Sequence, residues 1–104
     1  TQTISSNTTI QKDANDIHPY YVFVDCSGGA ITVTLPTTTA NGAEVGRVYQ
    51  IIDNTGNSAT NNITLDAGTG NNINGSQTYV ISNDYTSITI VCSVAGVTHT
   101  WNIV

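Results

Sequence analysis

The sequence predicts an all-β protein with the architecture of an antiparallel β-sandwich or a jelly-roll-like barrel. Short runs of β-branched and aromatic residues recur along the chain, and turns rich in Gly, Asn, Ser and Thr separate them. The spacing is about 8 to 12 residues, which is typical of sandwiches and barrels. No apolar stripe of helical period is long enough to predict a helix that contributes to the core.

The chain is predicted to divide into two regions, a short first segment and one domain. Residues 1–17 have sparse apolar residues and are expected to form a leading strand or a junction to a preceding region, whereas residues 18–104 form the sandwich domain. The first strand of that domain, Tyr20–Asp25, has apolar residues at both parities. Both of its faces are therefore expected to be covered, by the core on one side and by a neighbouring layer or subunit on the other.

The later strands alternate more cleanly between apolar and polar residues. The Ser27–Gly29 turn is predicted to make a hairpin into Ile31–Leu35, and Pro36 ends that strand. The remaining strands are predicted at Arg47–Asp53, Asn62–Asp66, near Ile73, Tyr79–Ile81, Ser87–Val94 and Thr98–Val104, with the last two joined as a hairpin at Ala95–Gly96.

Charged residues are scarce, at 9% of the chain against about 25% in ordinary soluble domains. The net charge is −5, and Lys12 and Arg47 are the only Lys or Arg side chains. A basic patch that could neutralise a phosphate backbone or an anionic bilayer is absent, so neither nucleic acid nor membrane insertion is an expected mode of binding. No apolar run approaches the roughly 18 residues that a spanning helix needs.

Cysteine and histidine give no metal signature. Cys26 and Cys92 continue the apolar alternation of their strands, which favours buried free thiols over a single disulfide. His18 and His99 are far apart in sequence and lack the paired spacing of zinc ligands. No metal and no cofactor is predicted, and His99, which shares a strand face with Trp101, is predicted to be a packed side chain.

A series of short motifs resembles a module of bacteriophage and giant-virus tail-fibre and spike proteins, with similar sequences in surface fibre proteins of predatory bacteria. The resemblance spans roughly Tyr20 to Val104, and residues 1–17 depart from it. The residues that carry it are Ile31 to Pro36, Gly46 to Gly56, Asn61 to Thr64, Ile73 to Gly75, Tyr85, Ser87 and Trp101.

This resemblance implies a fibre head that assembles as a homotrimer on a slender shaft and contacts a receptor, a glycan or a protein, on a target cell. It implies a location in a virion tail fibre or spike, or alternatively in an extracellular surface fibre of a bacterium. The composition agrees on one point: a small domain with few charges and strands apolar on both faces gains stability when it buries a strand face between subunits.

Polar and aromatic side chains in the turns are the candidate receptor-binding residues, because sugar rings stack on aromatic faces while amides and carboxylates bond sugar hydroxyls. Tyr85 is the leading candidate, with a Tyr packed over its turn as the alternative reading. The full candidate set is Tyr85, Asp84, Asn83, Asn57, Asn71 and Asn72.

Three functions remain open at this point. The leading hypothesis is a non-enzymatic trimeric fibre tip, or adhesin, that binds a cell-surface receptor of glycan type. The alternatives are a purely structural trimerisation or capping module and a glycan-cleaving tailspike-type enzyme. No catalytic residue is predicted, because the carboxylates at Asp25, Glu44, Asp53, Asp66 and Asp84 fall at strand ends or turns, where Asp commonly caps backbone donors.

Overall fold

A computed structural model describes residues 1–104 and confirms that the chain is all-β. Its single helical segment is the 3-10 turn Thr39–Asn41, and no helix is long and apolar enough to cross a membrane. The ten strands are β1 (Gln2–Ile4), β2 (Thr8–Thr9), β3 (Tyr21–Val24), β4 (Ile31–Thr34), β5 (Val48–Asp53), β6 (Ile63–Asp66), β7 (Asn72–Ile73), β8 (Thr78–Ile81), β9 (Ser87–Val94) and β10 (Thr100–Ile103).

The strands form two sheets that the chain visits in turn. Sheet A has six strands in the order β1-β3-β5-β9-β10-β7, and sheet B has four in the order β2-β4-β6-β8. Within sheet A, β1, β3 and β5 are parallel, and within sheet B, β2, β4 and β6 are parallel. The first six strands are therefore three coils stacked in the manner of a β-solenoid, each giving one strand to each sheet.

Antiparallel strands lie on the far side of this stack. β9 pairs with β5, β8 pairs with β6, and β10 returns against β9 as the predicted hairpin. Both sheets are thus mixed, and the predicted antiparallel sandwich is not what the strand directions show. The prediction differed because a short strand of alternating residues looks the same whether its neighbour runs parallel or antiparallel.

The Ser27–Gly29 turn illustrates the difference. A hairpin was expected there, yet β3 belongs to sheet A and β4 to sheet B, so this turn is a corner between sheets. A glycine-containing turn supplies the backbone freedom for either path. Which path the chain takes depends on β5 and β6, which lie beside β3 and β4 and come later in the sequence.

Inward side chains stack in columns between the two sheets. In sheet B the columns are Ile31–Ile63–Ile81 and Val33–Leu65, and in sheet A one column is Val22–Ile51–Ile88. Nearly all of these residues are fully buried, and the rings of Tyr49 and Trp101 pack at 5.8 Å beside them. Each such aliphatic side chain contributes about 1.5–3 kcal/mol through burial, so these columns are the main stabilising feature.

The corners between strands gather on two opposite sides of the molecule. Ile52 of β5 lies beside Ser87 of β9, so the loop after β5 (54–62) and the loop before β9 (82–86) are neighbours. The loop 67–77, between β6 and β8, and the loop 95–99, between β9 and β10, lie at the other ends of the same strands. We call the pair of loops 54–62 and 82–86 the Tyr85 corner.

Candidate functional site

A buried carboxylate organises the Tyr85 corner. Asp53 is the last residue of β5, lies at an inward position beside Val24 of β3, and is 1% exposed. Its Oδ1 accepts the backbone N–H groups of Thr55 (3.2 Å) and Gly56 (2.9 Å). Its Oδ2 accepts those of Ser58 (3.1 Å) and Tyr85 (3.0 Å). One side chain therefore fixes the backbone of both loops.

These hydrogen bonds determine the charge state of Asp53. Burial by itself raises the pKa of a carboxyl group, but hydrogen bonds from Ser58, Tyr85 and Gly56 outweigh burial and hold the pKa of Asp53 well below its usual value. Asp53 is therefore ionised at neutral pH, and its negative charge is stabilised by four backbone N–H groups and by the buried thiol of Cys26, whose Sγ lies 3.7 Å from Oδ1. No Lys or Arg side chain forms an ion pair with it.

The backbone of Tyr85 adopts the left-handed conformation, with φ of 60°. This conformation is unusual for a bulky residue, and it is held by the hydrogen bond from its N–H to Asp53. The side chain is 70% exposed, and one edge of the ring lies directly over Gly56. A Cβ at Gly56 would stand 2.3 Å from the ring atoms, so only glycine fits there. The ring is thus both exposed and supported from below.

The two loops are joined by further hydrogen bonds around the ring. The hydroxyl of Ser58 donates to the carbonyl of Asn83 (2.6 Å), and Oδ1 of Asp84 accepts the N–H of Ala59 (2.9 Å). Asn57 bonds through its carbonyl to the N–H groups of Thr60 and Asn61. Asn83 and Asn57 thus take part in the loop framework through their backbone carbonyls, and their side-chain amides make no hydrogen bond within the chain.

Four of the six predicted site residues therefore lie together, and two do not. Tyr85, Asp84, Asn83 and Asn57 share the Tyr85 corner, whereas Asn71, in the loop after β6, and Asn72, the first residue of β7, lie at the opposite ends of the strands.

Asn71 and Asn72 are also occupied in bonds within the chain. Oδ1 of Asn71 accepts the N–H of His99 (2.8 Å) and its Nδ2 donates to the carbonyl of Ala67 (2.9 Å). Asn72 bonds Thr100 and Gly75 in the same way. Both side chains hold the β6–β8 and β9–β10 loops together.

The sequence predicted that Asp53 lies at a strand end where Asp caps backbone donors, and its hydrogen bonds agree, but the sequence did not connect Asp53, Gly56 or Ser58 with the site around Tyr85. One signal was present: Asp53 continues the inward alternation of Tyr49 and Ile51, so a carboxylate stands where the pattern demands an apolar residue. A polar residue at such a position, directly before a turn, indicates a buried capping group.

The other candidate groups have structural roles. Asp25 accepts from the hydroxyl and N–H of Ser27, and these bonds lower its pKa. Asp66 accepts the N–H of Gly68. Cys26 and Cys92 are both buried and not bonded to each other, and burial raises the pKa of both thiols.

The concave surface of the chain lies away from the Tyr85 corner. A groove of about 220 Å³ runs along the start of β1 and the 11–19 segment, and none of the predicted site residues lines it. No group of three or more His, Cys, Asp or Glu side chains is close enough to hold a metal ion. The candidate site is therefore an exposed aromatic ring outside any groove, with polar residues in the same two loops.

Comparison with known proteins does not assign the chain to a family. Neither a scan against models of protein families nor a search of curated proteins gave a match.

Proposed function

We propose that this chain is a non-enzymatic recognition module: the tip of a homotrimeric fibre that binds a cell-surface glycan through the Tyr85 corner. The fibre belongs to a virion tail or spike or to the surface of a bacterium. This proposal rests on the motifs that resemble fibre modules and on one structural observation, the ring of Tyr85.

The ring of Tyr85 has the geometry that a sugar platform needs. It is 70% exposed, its edge is supported by Gly56, and its backbone is fixed by a buried carboxylate. A ring that is already ordered loses little conformational entropy when a sugar stacks on it. The carboxylate of Asp84 and the amides of Asn83 and Asn57 are within the same corner to bond hydroxyl groups.

A single shallow contact between one sugar and one ring binds weakly. The proposal therefore includes the homotrimer, which presents three such contacts. Three corners on one tip would engage a repeated surface glycan together, and the effective concentration of the second and third sites raises the overall affinity.

The carboxylates favour binding over hydrolysis. A glycosidase needs an acid and a base or nucleophile facing the same bond. At this corner Asp53 is buried and fully bonded to backbone N–H groups, and Asp84 accepts the N–H of Ala59.

A second candidate, a structural module that caps a fibre, is favoured by the stack of coils. β1 and β2 each have a neighbour on one side only. The carbonyl of Ile4 accepts the N–H of Asp25, the residue directly after β3, so the backbone groups of Thr3 beside it point to the open edge. A further coil could pair there, while β8 and β9 cover the opposite side of the parallel strands.

A glycan array with matched variants distinguishes the two. We expect the wild-type chain to bind at least one surface glycan class and Tyr85→Gly to lose that binding, because glycine keeps the left-handed backbone and removes only the ring. Tyr79→Thr, which removes another partly exposed ring from β8, is the control and should bind as the wild type does. Binding that is unchanged in Tyr85→Gly would remove this site, and no glycan binding by the wild type would favour the structural module.

A further inference from the structure

The outer faces of the two sheets differ sharply in composition, although both are formed by alternating strands of the same fold. The outward residues of β4 and β6 in sheet B are three threonines and one aspartate, Thr32, Thr34, Thr64 and Asp66, and Val80 of β8 is the apolar exception beside Thr64. Such a face is what solvent exposure selects. The outer face of sheet A carries five apolar side chains among polar residues such as Gln50, Ser87 and Thr89. Tyr21 is exposed, and the other four, Phe23, Val48, Ile52 and Val91, are partly buried.

The outer face of sheet A also carries no charge. The six strands of sheet A contain one charged residue, Asp53, and its side chain points inward. The chain has nine charged residues and a net charge of −5, so an uncharged face of this width is a distinct feature. Two copies of an acidic chain repel each other least when they meet through such a face.

An aromatic row runs along β3 on this face. The rings of Tyr21 and Phe23 stack at 6.3 Å with 22° between their planes, and Tyr20 meets Tyr21 edge-on at 4.6 Å. Tyr20 and Tyr21 are 46% and 42% exposed. Interfaces between protein chains are enriched in such aromatic residues and depleted of charge at their centre.

We infer that the outer face of sheet A is buried against a second copy of this chain, with Tyr21 and Phe23 as its central contacts. The inference rests on the assembly that the proposed function includes and identifies the face that forms it. Strand β3 has apolar residues on both of its faces: Val22 and Val24 face the core, and Tyr21 and Phe23 face outward. The outward pair belongs to this same surface.

The aliphatic residues of the face select a protein copy over a sugar. Ile52 pairs with Phe23 of the aromatic row, and Val48 and Val91 pair with each other further across the sheet. These three side chains offer no ring for stacking and no hydrogen-bonding group. An uncharged surface with apolar side chains at its centre, in contrast, suits the contacts between copies around the symmetry axis of a homo-oligomer. The Tyr85 corner lies at the ends of β5 and β9, beyond the centre of this face.

Hydroxyl-radical footprinting of the wild-type chain tests the inference without any substitution. Tyr21 lies on sheet A and is 42% exposed, and Tyr79 lies on sheet B and is 38% exposed. The two tyrosines are therefore a matched pair for labelling. Between nanomolar and high micromolar concentration we expect the labelling of Tyr21 and Phe23 to fall several-fold while that of Tyr79 and Tyr85 stays constant. Light scattering after size exclusion gives the mass of the same samples.

Variants supply the second measurement. In the double variant, Tyr21 and Phe23 are both replaced by threonine. This makes the face resemble the outer face of sheet B, and threonine still favours a strand. We expect this double variant to have the mass of one chain, 10.9 kDa. Val80→Thr, which removes an exposed apolar side chain from sheet B, should keep the wild-type mass. If the double variant does not fold, Gln50→Glu is the alternative. It adds a negative charge in the middle of the face with a side chain of nearly the same size, and it should likewise give the mass of a single chain.

The footprinting and mass measurements can contradict the inference in three ways. A multimeric mass with constant Tyr21 labelling would overturn the assignment of the face and leave the proposed assembly standing. A single-chain mass at high micromolar concentration would overturn the self-association itself. If the chain is monomeric and Tyr21 is protected only when hydroxyethyl cellulose is added, the partner of this face is a neutral polysaccharide and not a second copy. That result would overturn the inference. The array result with Tyr85→Gly is independent of all three.

Discussion

Replacing Asp53 with asparagine should destabilise the whole fold and not only one loop. The carboxylate accepts four backbone N–H groups, two on each oxygen. Asparagine keeps one acceptor oxygen and turns an amide NH₂ toward the other two donors. Each buried donor that loses its acceptor costs about 1–3 kcal/mol, so the loss of two acceptors should lower the free energy of unfolding by about 2–6 kcal/mol. For a domain of this size the melting temperature should fall by roughly 10 °C or more.

The effect should depend on pH in a defined direction. The pKa of Asp53 is depressed in the folded state below its ordinary value of 3.8. Its stabilising contribution is therefore fully present above about pH 5 and is lost as the pH falls through 3.8 toward the folded value. Since one pH unit corresponds to about 1.4 kcal/mol, the difference between wild type and Asp53→Asn should narrow by about 1 kcal/mol between pH 7 and pH 3.

Urea unfolding of both proteins at pH 7 and pH 3, followed by circular dichroism, measures these values. Asp66→Asn is the matched control, because Asp66 accepts one backbone N–H, that of Gly68, in a less buried turn. It should cost about 1 kcal/mol. Equal stability of wild type and Asp53→Asn at pH 7, or a difference that does not change with pH, would refute the central role given to this carboxylate.

Three further predictions concern the same corner and the cysteines. Tyr85→Gly should change the free energy of unfolding by less than about 1 kcal/mol, since relief of the left-handed backbone offsets the lost ring packing; a larger loss in urea unfolding would show that the ring is mainly structural. Gly56→Ala should destabilise by about 1–3 kcal/mol, because a Cβ meets the ring of Tyr85 at a positive φ; wild-type stability would contradict the packing described. Cys26 and Cys92 should resist a thiol reagent in the native chain and both react in denaturant without reductant, and a missing reaction in denaturant would indicate a disulfide.

The turn residues show how far sequence reasoning reaches toward the site. Tyr85, Asp84 and Asn83 could be selected because an aromatic residue beside amide and carboxylate groups in a turn suits a sugar, and they do lie together at one corner. Asn71 and Asn72 have the same composition, yet their amides are used to bond His99 and Thr100. Composition alone cannot tell a free amide from one that holds two loops together, because the partners are about 28 residues away.

The sequence by itself determined the all-β class, the places of most strands and the inward residues of each, since an alternation of period two fixes which side chains share a face. It also determined that Cys26 and Cys92 are buried. Only the tertiary structure decided that the strands wind between two sheets as stacked coils, because parallel and antiparallel neighbours demand the same local pattern. It alone joined the carboxylate of Asp53 to the backbone N–H of Tyr85, since that contact depends on β9 returning beside β5 across more than thirty residues of chain.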